Sequence, residues 1–311
     1  MSEKDNRETK ERIIDKIWKS EPTIEGAGVH LKRAFGFHEL PLLDPFLLLD
    51  DFRSENPADY KAGFPWHPHR GIETITYVLE GDVEHGDSMG HKGDISSGDV
   101  QWMTAGSGII HQEMPKGNSK GQMMGFQLWA NLPSHSKMMD PRYRGIKKNE
   151  IPQVKTQDNA TVRIICGEIN GTKGPVQDII TEPEYFDVEL PAGKSFTHYV
   201  KEGHTVFAYV IDGEAYFDHI RQAFAHDASG ENYFDMSSPC PCRDGTLILY
   251  KKEGTHITVT TVNHSVRFLL VSGKPLKEAI AWYGPIVMNT QAELRQAFKE
   301  FNEGTFIKHP Q

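Results

Sequence analysis

From Gly26 onward, short runs of β-branched, aromatic and aliphatic residues alternate with breaks rich in Gly, Asp and Pro, a rhythm that predicts strands rather than helices. Pro45 to Phe52 is an apolar run too short for a core helix and predicts a buried strand. Residues 72–79 form a strong strand pattern that stops at Glu80-Gly81-Asp82, and further strands are predicted over 83–88, 100–104 and 124–129. Residues 141–153 are polar and carry Pro, Gly and Lys, which makes them the best linker candidate. Beyond them strands are predicted over 162–166, 185–190, 205–211, 247–250, 257–262 and 266–271, and the turn Asp212-Gly213-Glu214 echoes the one at Glu80-Gly81-Asp82. These features predict an all-β protein of two tandem β-barrels, with a charged leader over 1–24, a first domain over 25–150 and a second over 151–311. Ile13, Ile14, Ile17 and Trp18 sit at helical spacing, so the leader reads as a short amphipathic segment or a partly disordered arm. Leu294, Ala297, Phe298 and Phe301 predict a short C-terminal helix over 291–302, and the polar stretch 220–245 reads as a long loop.

Composition narrows the function without naming it. A chain of 311 residues suits two domains, and 38% hydrophobic with 25% charged residues is ordinary for a soluble globular protein. The net charge of −9 argues against a nucleic-acid groove, which needs a basic stripe. Cys166, Cys240 and Cys242 are odd in number and lack a spaced framework, which points away from disulfides and toward a reducing compartment. Cys240-Pro241-Cys242 reads as a loop holding two thiols, because no second Cys/His pair with zinc-like spacing accompanies it. No apolar signal core or bilayer-length run is present, so the expected setting is cytoplasmic, and nuclear as well in a eukaryote. A monomer without membrane or direct nucleic-acid partners is expected.

The chemistry is concentrated in two stretches of the first half. In an extended strand His67 and His69 share a face while Pro68 points away, and His111 with Glu113 repeats the offset about forty residues on. With 15 His in the chain, roughly 0.7 His-x-His pairs arise by chance, so the pair gains weight only from the second pair and the strong strands around both. If the two stretches face each other in one barrel, three imidazoles and a carboxylate meet at a metal site. Such a donor set suits iron, copper, nickel, manganese or zinc, and open positions suit oxygen chemistry at iron(II). Glu73, four residues after His69, shares the parity and competes with Glu113 for the carboxylate role. Parity does not choose between them. In the second half His198 and His204 lie near the corresponding place at the wrong spacing, so no metal is expected there. Phe64, Trp66, Trp102, Met103, Met114, Met123 and Met124 each read as barrel core, and together they suggest an apolar cavity for an aromatic guest.

At these residues the chain resembles the pirins, members of the cupin superfamily. The matching phrases are Leu43-Asp44-Pro45-Phe46-Leu47-Leu48, Gly63-Phe64-Pro65, His67-Pro68-His69-Arg70-Gly71, Glu73-Thr74, Gly98-Asp99, Gln101 to Gly106, His111 to Pro115, Gln127-Leu128-Trp129, Asn131-Leu132 and Gly284 to Thr290. The resemblance implies a bicupin of jelly-roll barrels with one mononuclear iron in the N-terminal barrel, a site open to other divalent transition metals. Carried over residue by residue, the ligands are His67, His69, His111 and Glu113, and Glu73 falls behind them. A general cupin has Pro where Thr104 stands and sets its last His closer to Gly106 than His111 is; both departures fit the pirin pattern and favour Glu113. Some pirins resemble flavonol dioxygenases that cleave quercetin-type substrates with release of carbon monoxide, which makes Glu113 both ligand and base. Other pirins resemble regulators that bind a transcription factor or metabolic enzyme, with iron as a redox switch and no turnover. The dioxygenase is the first expectation, the regulator the alternative, and a purely structural metal the third.

Overall fold

The strand rhythm folds as two largely antiparallel β units in the computed structural model, which describes residues 10–220, 227–229 and 241–308. One unit takes the described residues of 20–151, 178–181 and 275–308, and the other those of 10–19, 152–177 and 182–274. The division follows the strands but crosses the ends of the chain over. Residues 275–308, expected with the second barrel, belong to the first unit, and residues 10–19 of the expected leader belong to the second.

In the first unit a seven-stranded sheet runs in the order Arg142–Ile146, Val100–Thr104, Ile72–Glu80, Met124–Asn131, Phe46–Asp51, Val29–Phe35, Glu21–Glu25. A four-stranded sheet runs Phe64–His69, Ile109–Lys116, Asp82–Asp87, Lys92–Ser96. The two close on a common core, with Val29, Leu31, Phe52 and Val78 meeting Val83 and Ile95. Arg142–Ile146 pairs with Val100–Thr104, so the first part of the expected linker is an edge strand. The C-terminal segment is held by side chains next to the histidine strand. Arg70 donates to the carbonyls of Ser107 and Phe306 and to Glu300 at 2.7, 2.9 and 2.8 Å. Lys137 donates to the carbonyls of Gly71 and Val287 and to Asn131. The expected helix is present as Gln291–Asn302, opened by a Thr290–Glu293 capping box, and buries Leu294 and Ala297.

In the second unit the sheet order is Gln153–Lys155, Thr161–Cys166, Glu184–Leu190, Val266–Gly273, Thr205–Ala215, Thr246–Tyr250, Ile14–Lys19, Asp227–Ser229. The described part of the leader therefore holds no helix. Ile14–Lys19 is a strand against Thr246–Tyr250, with a bulge between Ile14 and Lys16. The inserted residue returns Ile14 and Ile17 to one face, three apart, which imitates helical spacing. Arg12, fully buried, fixes this segment by donating to the carbonyls of Gly254, His204 and Lys201. Of the expected loop 220–245, Asp227–Ser229 and Cys242–Arg243 are short strands, while Cys240 and residues 1–9 lie outside the described residues. Among the described residues no helix is long and apolar enough to cross a membrane.

Candidate metal centre

Phe64–His69 is the edge strand of the four-stranded sheet, a place that tolerates Pro65 and Pro68, neither of which has an N–H to give. It pairs antiparallel with Ile109–Lys116, setting His67 opposite His111 and His69 opposite Ile109. Cross-strand partners share a face, so the register brings all three imidazoles to one side. Two glycines shape the approach. Gly71 at φ +78° and Gly106 at φ +50° join the strand ends through a Gly71 N–H to Gly106 carbonyl bond of 2.8 Å. A Cβ on Gly71 would meet the Val287 carbonyl at 2.0 Å, and one on Gly106 the Met139 carbonyl at 2.2 Å.

The ligand-type atoms of His67, His69 and His111 all lie within 4.8 Å of one another. His67 Nδ1 is 2.9 Å from the Pro65 carbonyl and His69 Nδ1 is 3.0 Å from the Pro285 carbonyl. A carbonyl only accepts, so each Nδ1 carries the proton and each Nε2 presents a lone pair. Those two Nε2 atoms face each other at 3.1 Å. Bare lone pairs at that distance repel, and the arrangement calls for a positive centre shared between them. Burial pushes the pKa of His67 down and those of His69 and His111 well below the ordinary imidazole value, which makes a proton a poor candidate. Two nitrogens at right angles on an ion with bonds of about 2.1 Å are about 3 Å apart, which matches. His111 adds a second mark: it is 0% exposed and neither ring nitrogen has a hydrogen-bond partner among the described residues. A buried imidazole with both nitrogens unmatched is costly in a metal-free fold and is explained by a ligand. The donor set fits a divalent transition ion.

Glu113 stands apart from that close group. A register shift between His111 and Glu113 sets Glu113 opposite Phe64, and its Oε1 lies 2.9 Å from Thr76 Oγ1. Thr76 Oγ1 is also 2.7 Å from Gln127 Oε1, and its one proton serves one of these acceptors at a time. Glu73 is elsewhere. Its buried carboxyl accepts from Thr104 at 2.7 Å, and burial raises its pKa, opposed by neighbouring Thr104, Trp102, Arg142 and Arg144. Of the two carboxylates only Glu113 joins His67 and His69 in lining the cavity, which has a volume of about 740 Å³. The apolar walls differ from the expected set. Phe64 lines the cavity, but Trp66 faces the other way at 52% exposure, and Trp102, Met103 and Met123 are packed core. Leu31, Leu48, Phe52, Trp129 and Trp282 take their place. Trp129 stands edge-on to His69 at 5.0 Å and leans on Trp282 at 5.9 Å. Sequence reading missed Thr76 and Gln127, although Gln127 is a polar residue flanked by Phe126 and Leu128. It also missed the role of Pro285, whose contribution is a backbone carbonyl. Nearby, His85 bonds Asp87 at 3.2 Å, a hydrogen-bonded core histidine.

Residues 28–130 match the pirin family and residues 185–307 the pirin C-terminal cupin domain. The chain belongs to the pirin family. A pirin-like protein of Caulobacter vibrioides is 40% identical over 95% of this chain and 99% of its own length. Human pirin is 38% identical over 89% of this chain and 88% of its own. Among solved structures, a quercetin 2,3-dioxygenase from Acinetobacter baumannii superposes with a TM-score of 0.81 at 32% identity, covering 96% of this chain and 99% of that one. The two β units are thus pirin cupin domains, and the histidine cluster lies in the N-terminal one.

Proposed function

We propose that this pirin is an iron(II)-dependent dioxygenase of flavonol, quercetin-type substrates, held at His67, His69 and His111 with Glu113 as the further ligand and base. The observation that carries this reading is the meeting of three proton-poor imidazoles, two of which line a largely apolar cavity of about 740 Å³ together with Glu113. Similarity to the Acinetobacter enzyme supports it. A divalent ion bound there supplies Lewis acidity toward an ionising hydroxyl and one-electron chemistry with dioxygen. The protein's own residues do the rest. The carbonyls of Pro65 and Pro285 hold His67 and His69 with Nε2 inward, so the site is formed before a ligand arrives. Glu113 takes the proton of the substrate 3-hydroxyl, leaving an electron-rich enolate ring as the target for oxygen. The Thr76 hydroxyl holds the carboxylate from behind, and Gln127 competes with Glu113 for its proton. Trp129, Leu48 and Phe52 bed the flat ring system and keep water from the reacting carbons.

The test is elemental analysis of protein purified without added metal, followed by oxygen-electrode assays with quercetin. Oxygen uptake that is lost in both His69→Ala and Glu113→Ala supports the reading. Iron at full occupancy with no uptake would overturn it and favour a redox-responsive regulator that binds a transcription factor or metabolic enzyme.

A further inference from the structure

The long wall of the cavity carries a row of polar side chains that the chemistry above leaves unused at its far end. Strand pairing sets Thr76 opposite Gln127, Gln127 opposite Asp50 and Asp50 opposite Arg33, and all four line the cavity. At about 4.8 Å per strand the row extends about 14 Å along the sheet from Thr76, beside Glu113, to Arg33. On the same strands Leu31, Leu48, Phe52 and Trp129, two residues away, share the face and make an apolar bed beside it. At the far end Arg33 donates to both oxygens of Asp50 at 2.8 Å each and meets Glu25 at 2.9 Å. Glu25, Arg33 and Asp50 are the charged groups lining the cavity away from the histidine end, two carboxylates against one guanidinium. Burial raises Asp50 to about 6 against the pull of Arg33, which still leaves it ionised at neutral pH. Arg33 directs one N–H from each of its three nitrogens at these two partners, and the carboxylate oxygens keep further lone pairs for a donor from outside.

We infer that Glu25, Arg33 and Asp50 form a specificity subsite that takes the uncharged, hydroxyl-bearing ring of an aromatic guest and turns away one that carries an anion at that end. The inference rests on the functional reading above for which end of the guest meets the histidines. Hydroxyls on the remote ring donate to Asp50 and Glu25, while a sulfonate or carboxylate there meets a net negative charge, buried at Asp50 and partly exposed at Glu25. The single anion the cavity accepts is the one formed beside Glu113.

Anaerobic binding to the full-length, metal-loaded chain, read by fluorescence quenching, tests this without turnover. The guests are quercetin, 3-hydroxyflavone and a quercetin sulfonated on the ring remote from the 3-hydroxyl. A neutral naphthylamine dye and its sulfonated counterpart serve as guests unrelated to flavonols. Quercetin should bind about tenfold more tightly than 3-hydroxyflavone, and the sulfonated flavonol about tenfold or more weakly than quercetin. Glu25→Gln should shrink the sulfonate penalty and Glu25→Lys should abolish it; Glu25 is partly exposed, so both variants should fold. Equal binding of neutral and sulfonated guests, unmoved by either variant, overturns the subsite and leaves the dioxygenase reading intact. Discrimination between the dyes that follows the Glu25 variants, with no flavonol bound, upholds the subsite and removes the flavonol. Failure of every guest to bind overturns both.

Discussion

The two cupin domains use one strand plan and differ in what they place inside it. In the first, the paired strands Phe64–His69 and Ile109–Lys116 send His67, His69 and His111 to one face, and the wall opposite carries Thr76, Gln127, Asp50 and Arg33. In the second, Ser195–Tyr199 pairs with His256–Thr260, setting Phe196 opposite Val259 and His198 opposite Ile257. The inward residues there are Phe196, His198, Ile257 and Val259, while His256 takes the other parity. His198 is matched by Glu184, which also accepts from Ser272, and Phe217 and Phe268 pack in the buried core, Phe268 edge-on to Phe196. A cupin strand pair becomes a metal site only when histidines hold the inward parity on both strands and the core behind them stays open. One inward histidine with a carboxylate partner is simply a satisfied core residue.

The sharpest way to break the contrast is to remove the member of the triad that has no other partner. His111→Ala should cut bound metal to background and end oxygen uptake. It should nevertheless leave the metal-free chain as stable as the wild type or more so, because it deletes a buried imidazole with two unmatched nitrogens. Elemental analysis and thermal melts in chelator check both halves. A large loss of stability without metal would show that His111 is a packing residue first. The converse experiment builds the site where it is absent. Phe196→His with Val259→His reproduces the register of the first domain around His198. The double variant should lose about 3–5 kcal/mol without metal, from lost packing and buried imidazole, and regain part of it with added zinc. Denaturant unfolding with and without the ion measures it.

Acidification should separate the domains more gently. Burial depresses the three imidazoles, so protons displace a bound ion only well below pH 6.5. In the metal-free chain the sign is fixed by linkage. The unfolded histidines take up protons near pH 6.5 while the folded ones do not, so stability falls as the pH drops, by up to about 1.4 kcal/mol per unit for each histidine. His111→Ala should flatten that slope; an identical slope in wild type and variant would place the proton uptake elsewhere.

Parity alone put His67 and His69 on one face, because a strand alternates strictly; adding His111 took the further condition that the two stretches face each other, which the register meets. Parity could not separate Glu113 from Glu73, which share the alternation. Register decides their surroundings: Glu113 opens to the cavity, and Glu73 is locked against Thr104 behind it. The misread leader shows the same limit, since a bulge turns a two-residue period into a three-residue gap that looks helical. The crossing over of the chain ends was illegible because it depends on Arg12 at one end and on Arg70 and Lys137 at the other, whose partners are carbonyls far away in sequence. Backbone acceptors leave no mark in a pattern of side chains. Trp66 was misplaced for a simpler reason: it lies between Pro65 and His67, and the parity that brings the histidine inward turns the indole out.

The smallest effect probes the polar row itself. Thr76 stands where the second domain has inward apolar residues such as Ala208 and Val210, and its hydroxyl is the contact that ties Glu113 to the opposite sheet. Thr76→Val keeps the shape and removes that bond. If Thr76 positions Glu113 for proton removal, kcat with quercetin should fall about five- to thirtyfold, the loss of one hydrogen bond to a charged group, while KM and metal content stay near wild type. Thr76→Ser restores the hydroxyl on a smaller side chain and should recover most of the rate. A purely structural role predicts a different pattern, in which both variants lose stability and neither loses rate. A rise in KM with kcat unchanged would instead place Thr76 in contact with the guest, and Glu113 would then be held by the strand register alone.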